Sequence, residues 1–449
     1  MRFLSMAVHG SRAVSFHTPP VLGRSLSLSS AELVEYNEDE VMRAVNTPHP
    51  QNNVADSVKR LIPRRLLRKE RHPLRILLQE VEAHFQSLPP DHAGKPQPKL
   101  ATFQDLSPIV TVGQNFDELL TPKDHPSRRP SDTFFISDEL LLRCHTTAHQ
   151  TSIIRAGHDA FLVSGDVYRR DTGAFSRFKD FGPMRCRRCA LSETFGIFVC
   201  CSPCAVDASH YPCFHQCDAV RIFTPDVVDP SWSWEEKEAY VVRNLKETLE
   251  GLARRLFGDA ELRWVEENFP FTTQSRELEV FFEGEWLEVL GCGMIQTEIL
   301  QNCGRGDQVG WAFGLGLERL AMVLFGIPDI RLFWTEDERF LRQFESGTAD
   351  VKFQPYSKYP PCYKDITFWL PSGHFHEHDF FELVRGVAGD LAESVTLLDE
   401  FTHPKHGRTS HCYRVNYRHM DRSLTNEEVD AIQMQLRDRV VQELGVELR

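Results

Sequence analysis

Apolar positions recur at helical spacing from Leu74 through Leu77, Leu78, Val81 and Phe85, and Pro73 stands where a first helical turn tolerates proline. The proline-bounded run 89–98 ends that helix. A longer stripe, Val241, Leu245, Leu249, Leu252 and Leu256, follows Ser233 and Glu236, which have capping-box spacing, and it stops at Gly258. Beyond it the period shortens to two. Leu278, Val280 and Phe282 alternate with Glu277, Glu279 and Glu283, and residues 286–290 continue the alternation, which predicts antiparallel sheet. From Phe353 the pattern changes again. Strands are predicted at 365–370, 395–398, 411–417 and 446–448, with helices at 379–387 and 427–444. That order, β-α-β-β-α-β, is the split βαβ or ferredoxin-like arrangement. The predicted fold class is α+β, with a small separate domain over residues 353–449.

A length of 449 residues suggests two or three domains. Hydrophobic residues at 41% and charged residues at 26% exclude a collagenous or wholly disordered chain. No uninterrupted apolar run reaches the roughly 18 residues of a membrane span, so no membrane partner is expected. The net charge of −13 means that nucleic acid could be held only by a local basic patch. Two tracts qualify. Eight Lys and Arg lie between Lys59 and Arg75 against the single Glu70, a pattern that suits a solvated helix face as well as a phosphate contact. Lys405, Arg408, Arg414, Arg418 and Arg422 form the second, a candidate RNA-backbone patch. Residues 1–31 contain no acid but hold Arg2, Arg12, Arg24 and seven serines, the composition of an organellar transit peptide. A mitochondrion is the first expectation and a plastid the second; residues 32–100 then read as a linker and a basic helical region.

Four segments carry candidate chemistry. They are Leu106-Ser-Pro108 with the run from Asn115, the stretch Leu142-Arg-Cys-His145 to Gln150, Arg169-Arg-Asp171 with Tyr211 to Gln216 downstream, and Gly310 to Arg319. A guanidinium forks onto oxyanions and stays charged when desolvated, which suits Arg169 and Arg319 to phosphate. Gly310, Gly314 and Gly316 permit close backbone approach before an apolar helix. Singly, each of these is as readily structural; the set and its order carry the argument.

That set resembles the three motifs of class II aminoacyl-tRNA synthetases, and more narrowly the single-chain organellar phenylalanyl-tRNA synthetases. Pro108 falls in motif 1, Arg169 with Asp171 in motif 2, and Gly314-Leu-Gly-Leu-Glu-Arg319 in motif 3, and the similarity covers about residues 54–449. The resemblance implies an antiparallel-sheet catalytic domain over 101–345, followed by a ferredoxin-fold anticodon-binding domain. It implies a monomer of the mitochondrial matrix that attaches L-phenylalanine to tRNA-Phe through a phenylalanyl-adenylate, using ATP and Mg²⁺. The alternative is a non-catalytic class II-like binding protein.

Site roles carry over residue by residue. The family's His-Thr-Ser-x-x-Gln falls on His145, Thr146, Thr147 and Gln150, placing Gln150 and the Thr147 hydroxyl on the amino group of phenylalanine. Phe-His-Gln-x-Glu falls on Phe214, His215, Gln216 and Asp218; Phe214 and Gln216 would meet ATP, and Gln216 and Asp218 the amino acid. The Asp in place of Glu is shorter, so its contact is expected to run through water. Phe269 and Phe271 would pack edge-to-face on the substrate phenyl, with Ala312 at its para end. Arg169 and Arg319 would neutralise the α- and γ-phosphates, Asp171 of motif 2 would also meet ATP, and Glu288 would contact Mg²⁺ or the adenosine.

One departure stands out. Asp171 and His210 are separated by 38 residues where the family has only a few, and the interval holds Cys186-x-x-Cys189 and Cys201-x-x-Cys204. Three readings stay open: a retained intron or gene-model error over 173–205, whose removal restores the family's loop length; a lineage-specific loop; and a structural zinc site.

Overall fold

The structure is a computed structural model that describes residues 33–170, 211–354, 359–371, 375, 377–404, 407–419 and 422–449. The expected transit peptide, Asp171, the cysteine-rich stretch 173–205 and Lys405 lie outside those residues.

Helices α1 (Glu38–Val45), α2 (Asp56–Lys59) and α3 (Pro73–Gln86) lead to β1 (Ala101–Phe103), β2 (Ile109–Thr111) and α4 (Val112–Asn115). Next come β3 (Leu140–Leu142), α5 (Gln150–Arg155) and β4 (Ala160–Tyr168). β5 (Cys213–Phe223), α6 (Trp234–Phe257), β6 (Leu262–Glu266), β7 (Thr272–Phe282), β8 (Glu285–Ile295), α7 (Thr297–Asn302), β9 (Val309–Gly316), α8 (Leu317–Phe325) and α9 (Glu338–Leu341) follow. Among the described residues seven strands form one sheet in the order β1-β4-β5-β9-β8-β7-β6, antiparallel except for the β1–β4 pair.

The long helices form for the reasons that the sequence states. Pro73 opens α3 while the His72 ring accepts the Leu74 N–H. Ser233 and Glu236 close a reciprocal capping box on α6, which Gly258 ends at φ +67°. Their apolar stripes pack with α8 on one face of the sheet, where Phe85 stacks on Phe313 at 5.4 Å. That layer leaves the opposite face for a site.

The second unit runs β10 (Cys362–Trp369), α10 (Glu377–Ala388), β11 (Ala392–Thr402), β12 (Thr409–Tyr417), α11 (Asn426–Leu444) and β13 (Glu447–Leu448). Its sheet order, β11-β12-β10-β13, is ferredoxin-like, and Ile366, Phe368, Val395, Tyr413 and Val415 fill its core. β11 runs well past the predicted 395–398 because two irregularities let it follow β12 along its whole length. Arg170 joins the two units by bonding Asp379 at 3.0 Å and Glu382 at 2.6 Å, and Tyr211 donates to Asp390 at 2.8 Å.

Both basic tracts are largely internally paired. Arg65 and Arg68 meet Asp105, Arg64 meets Glu336, Arg75 meets Glu82 and Lys59 meets Asp56. Each of these five thus has an acidic partner within the chain. In the second unit Arg408 pairs with Glu447, Arg414 with Asp365, Arg418 with Glu393 and Arg422 with Glu428.

Candidate active site

Alternation along β5 sends Phe214, Gln216 and Asp218 to the open face of the large sheet. Opposite them in register, Gln216 meets Gly316, Asp218 meets Gly314 and Val220 meets Ala312. One strand further, Gly291 stands beside Gly314 and Gly293 beside Ala312. These glycines make a floor on which side chains from elsewhere can lie flat. A Cβ at Gly314 would come 2.8 Å from Asp218 Oδ1, and one at Gly291 2.8 Å from Phe269 Cζ.

The turn from β3 into α5 brings His145, Thr147 and Gln150 over this floor. Thr147 Oγ1 donates to Asp218 Oδ2 at 2.6 Å, so the shortened carboxylate has a direct partner within the protein. Burial pushes the Asp218 carboxyl up to about 6, against the opposing pull of the Thr147 and Thr146 hydroxyls and Arg169. Burial likewise holds His145 down to about 3, which keeps its ring neutral. Buried polar atoms here that have no protein partner include His145 Nδ1, Gln150 Nε2 and Gln216 Oε1. Buried polar atoms are normally paired, so this group is a prepared surface for a polar ligand.

Arg169 donates from Nε to the Cys144 carbonyl at 2.9 Å and lies 5.1 Å from the Phe214 ring. The apolar wall is Phe269 and Phe271, with centroids 6.0 Å apart and planes within 8° of parallel. Ala312 is buried at the floor.

At the other end of the same face Arg319 bonds Glu288 at 2.8 Å. Glu277 on the neighbouring strand is pushed up to about 7, by burial first and then by Glu288, Glu267 and Glu279. Among the described residues no three His, Cys, Asp or Glu side chains are grouped as a ready-made metal cage.

Residues 61–189 and 203–344 match the family described as "tRNA synthetases class II core domain (F)", and 357–449 match the "Ferredoxin-fold anticodon binding domain". The chain is 48% identical to the chloroplastic/mitochondrial phenylalanine–tRNA ligase of Arabidopsis thaliana, covering 90% of this chain and 84% of that protein. With the mitochondrial phenylalanine–tRNA ligase of Mus musculus it shares 41% identity, over 94% of this chain and 92% of the relative. With that of Saccharomyces cerevisiae it shares 36%, over 88% and 92%. The chain belongs to the phenylalanine–tRNA ligase family of class II synthetases.

In this synthetase the core-domain match breaks over 190–202, inside the cysteine-rich stretch. Sequence reasoning passed over Arg143, although it stands in the quoted run before His145. Arg143 is buried and bonds Asp166 Oδ1 at 3.0 Å, the Asp166 carbonyl at 2.7 Å and His149 Nε2 at 2.8 Å, tying the His145 turn to β4. Glu277 was also passed over, because an alternating Glu row says which face it is on but not what lies on that face.

Proposed function

We propose that this synthetase forms phenylalanyl-adenylate on the open face of its large sheet and transfers the acyl group to tRNA-Phe. It is a mitochondrial ligase, like the relatives that carry that designation. The observation that carries the site is the set of unpartnered buried atoms on His145, Gln150 and Gln216 beside the Thr147–Asp218 pair. A phenylalanine ammonium group supplies hydrogen bonds to Gln216, Thr147 and Asp218, and Gln150 and His145 complete its surroundings. The phenyl ring lies against Phe269 and Phe271, with Ala312 closing the para end. Tyrosine would bury an unpaired hydroxyl there, a penalty of about 1–3 kcal/mol.

Phenylalanine and ATP are held so that the carboxylate faces the α-phosphate. Arg169 neutralises charge on that phosphate, Phe214 and Gln216 hold the nucleotide, and Arg319 takes the γ-phosphate. No side chain is needed as a nucleophile. Glu288 and Glu277 fit Mg²⁺, because their crowding and burial raise the Glu277 carboxyl and a cation relieves that cost. When bound, Mg²⁺ neutralises charge on the leaving pyrophosphate.

For the RNA, Arg408, Arg414, Arg418 and Arg422, with Lys405, remain the proposed contacts. Exposed Tyr363 lies under Arg414 at 4.4 Å and Trp369 under Arg408 at 5.2 Å, surfaces on which bases can stack. One chain carries both units, and we propose that it acts as a monomer.

Phenylalanine-dependent ATP–pyrophosphate exchange tests this on the full chain and on a variant lacking 173–205. Exchange by the full chain is expected. Exchange by the shortened variant alone would mark the stretch as foreign to the enzyme, while silence in both folded proteins would overturn the ligase reading.

A further inference from the structure

We infer that His215 and Glu318 form a positioning pair that fixes Arg319 relative to Phe214 and Gln216 and thereby sets ATP affinity. β5 pairs with β9 only as far as Gln216 opposite Gly316, where β9 ends and the chain turns into α8. The His215 amide therefore has no strand residue left to bond on that side. The Glu318 carboxylate takes the place of the missing strand. Its Oε2 accepts the His215 N–H at 2.8 Å, and its Oε1 accepts a second bond from His215 Nδ1 at 2.6 Å. Both side chains are buried, and the imidazole lies along Trp334 with centroids 5.7 Å apart. A carboxylate in the first turn of α8 is also favoured by the helix dipole.

The consequence lies in the neighbours. Phe214 and Gln216 flank His215 and face the site, whereas His215 faces the helix layer. Along α8 the same opposition recurs: Glu318 turns to β5, and Arg319 turns to Glu288. One buried carboxylate thus locks the two chain segments that the proposed function places on the nucleotide. Site side chains need placement to within about 0.5 Å, which exposed Arg319 cannot secure for itself. This inference rests on the assignment of Arg319 to ATP.

The test is calorimetric binding of ATP and of phenylalanine to the full chain. His215→Leu removes the ring bond and leaves the backbone bond. ATP Kd is expected to rise about tenfold while phenylalanine Kd stays within about twofold. His215→Asn, whose side-chain N–H can stand in for Nδ1–H, restores ATP Kd to within about threefold of wild type. Equal weakening of both ligands, or a lower melting temperature with unchanged ATP Kd, overturns the inference, since a merely structural pair would behave so. If His215→Leu does not fold, Glu318→Gln decides. It keeps the volume but turns an NH₂ group toward one of the two donors, and an ATP Kd that does not rise by about fivefold overturns the pair. Arg319→Ala separates the two claims. An unchanged ATP Kd in Arg319→Ala sinks the nucleotide assignment, whereas weakening there beside an unaffected His215→Leu sinks only the positioning pair.

Discussion

The two ends of the site are built from opposite materials. At the end proposed for the amino acid Asp218 is 5% exposed, bonded to Thr147 and framed by buried polar groups. At the end proposed for the nucleotide the Arg319 side chain is 54% exposed, and Glu288, its partner, is 29% exposed. The first end therefore discriminates by desolvation, where each unpaired group is costly. The second end holds charge in a screened setting, where an ion pair adds little stability and exchanges partners readily. A small, neutral-tailed amino acid needs the former, and a polyanion that enters and leaves as pyrophosphate suits the latter.

The strongest way to break this contrast is Gly165→Ala. A Cβ there would lie 2.0 Å from Arg143 Nη2, in the network that ties the His145 turn to β4. Loss of at least about 3 kcal/mol in denaturant unfolding is expected, as for other broken buried ion pairs. A loss below about 1 kcal/mol would mean that the amino-acid end is not rigidly framed.

The next effect is pH dependence. Asp218 sits near 6 in the folded chain against an ordinary 3.8, so the folded state holds the proton more tightly between those values. Stability from this group consequently declines as pH rises through that window. Phenylalanine binding runs the other way, because its ammonium group needs the ionised carboxylate. Its Kd should rise up to about tenfold per pH unit below 6 and lose that slope in Asp218→Asn. An unchanged slope in Asp218→Asn would assign the titration to another group.

The smallest expected effect is at the exposed end. Glu288→Gln should leave unfolding stability within about 0.5 kcal/mol, while changing ATP affinity in a salt-dependent way. A destabilisation above about 1 kcal/mol would erase the contrast between the two ends.

Local order was legible in the chain and register was not. The α6 cap, its stripe and its Gly258 stop are all near-neighbour features, and so is the element order of the second unit. The roles proposed for Arg169, Gln150 and Arg319 come from motif order. The Arg143 network and the His215–Glu318 bond depend instead on which residues the fold brings together from 23 and 103 positions apart in sequence. No periodicity encodes that. The basic run from Lys59 stayed ambiguous for the same reason: acidic partners such as Asp105 and Glu336 lie outside the run.

The glycine floor bears on how this pocket can change over generations. Because Gly291 and Gly314 already press against Phe269 and Asp218, any larger residue there collides before it can reshape the cavity. Mutational drift toward a different amino acid is thereby channelled to Phe269 and Phe271 in the wall and to Ala312 in the floor. Phe269 is confined by the Gly291 backbone beneath it, so the accessible evolutionary direction there is toward a smaller side chain and a roomier pocket.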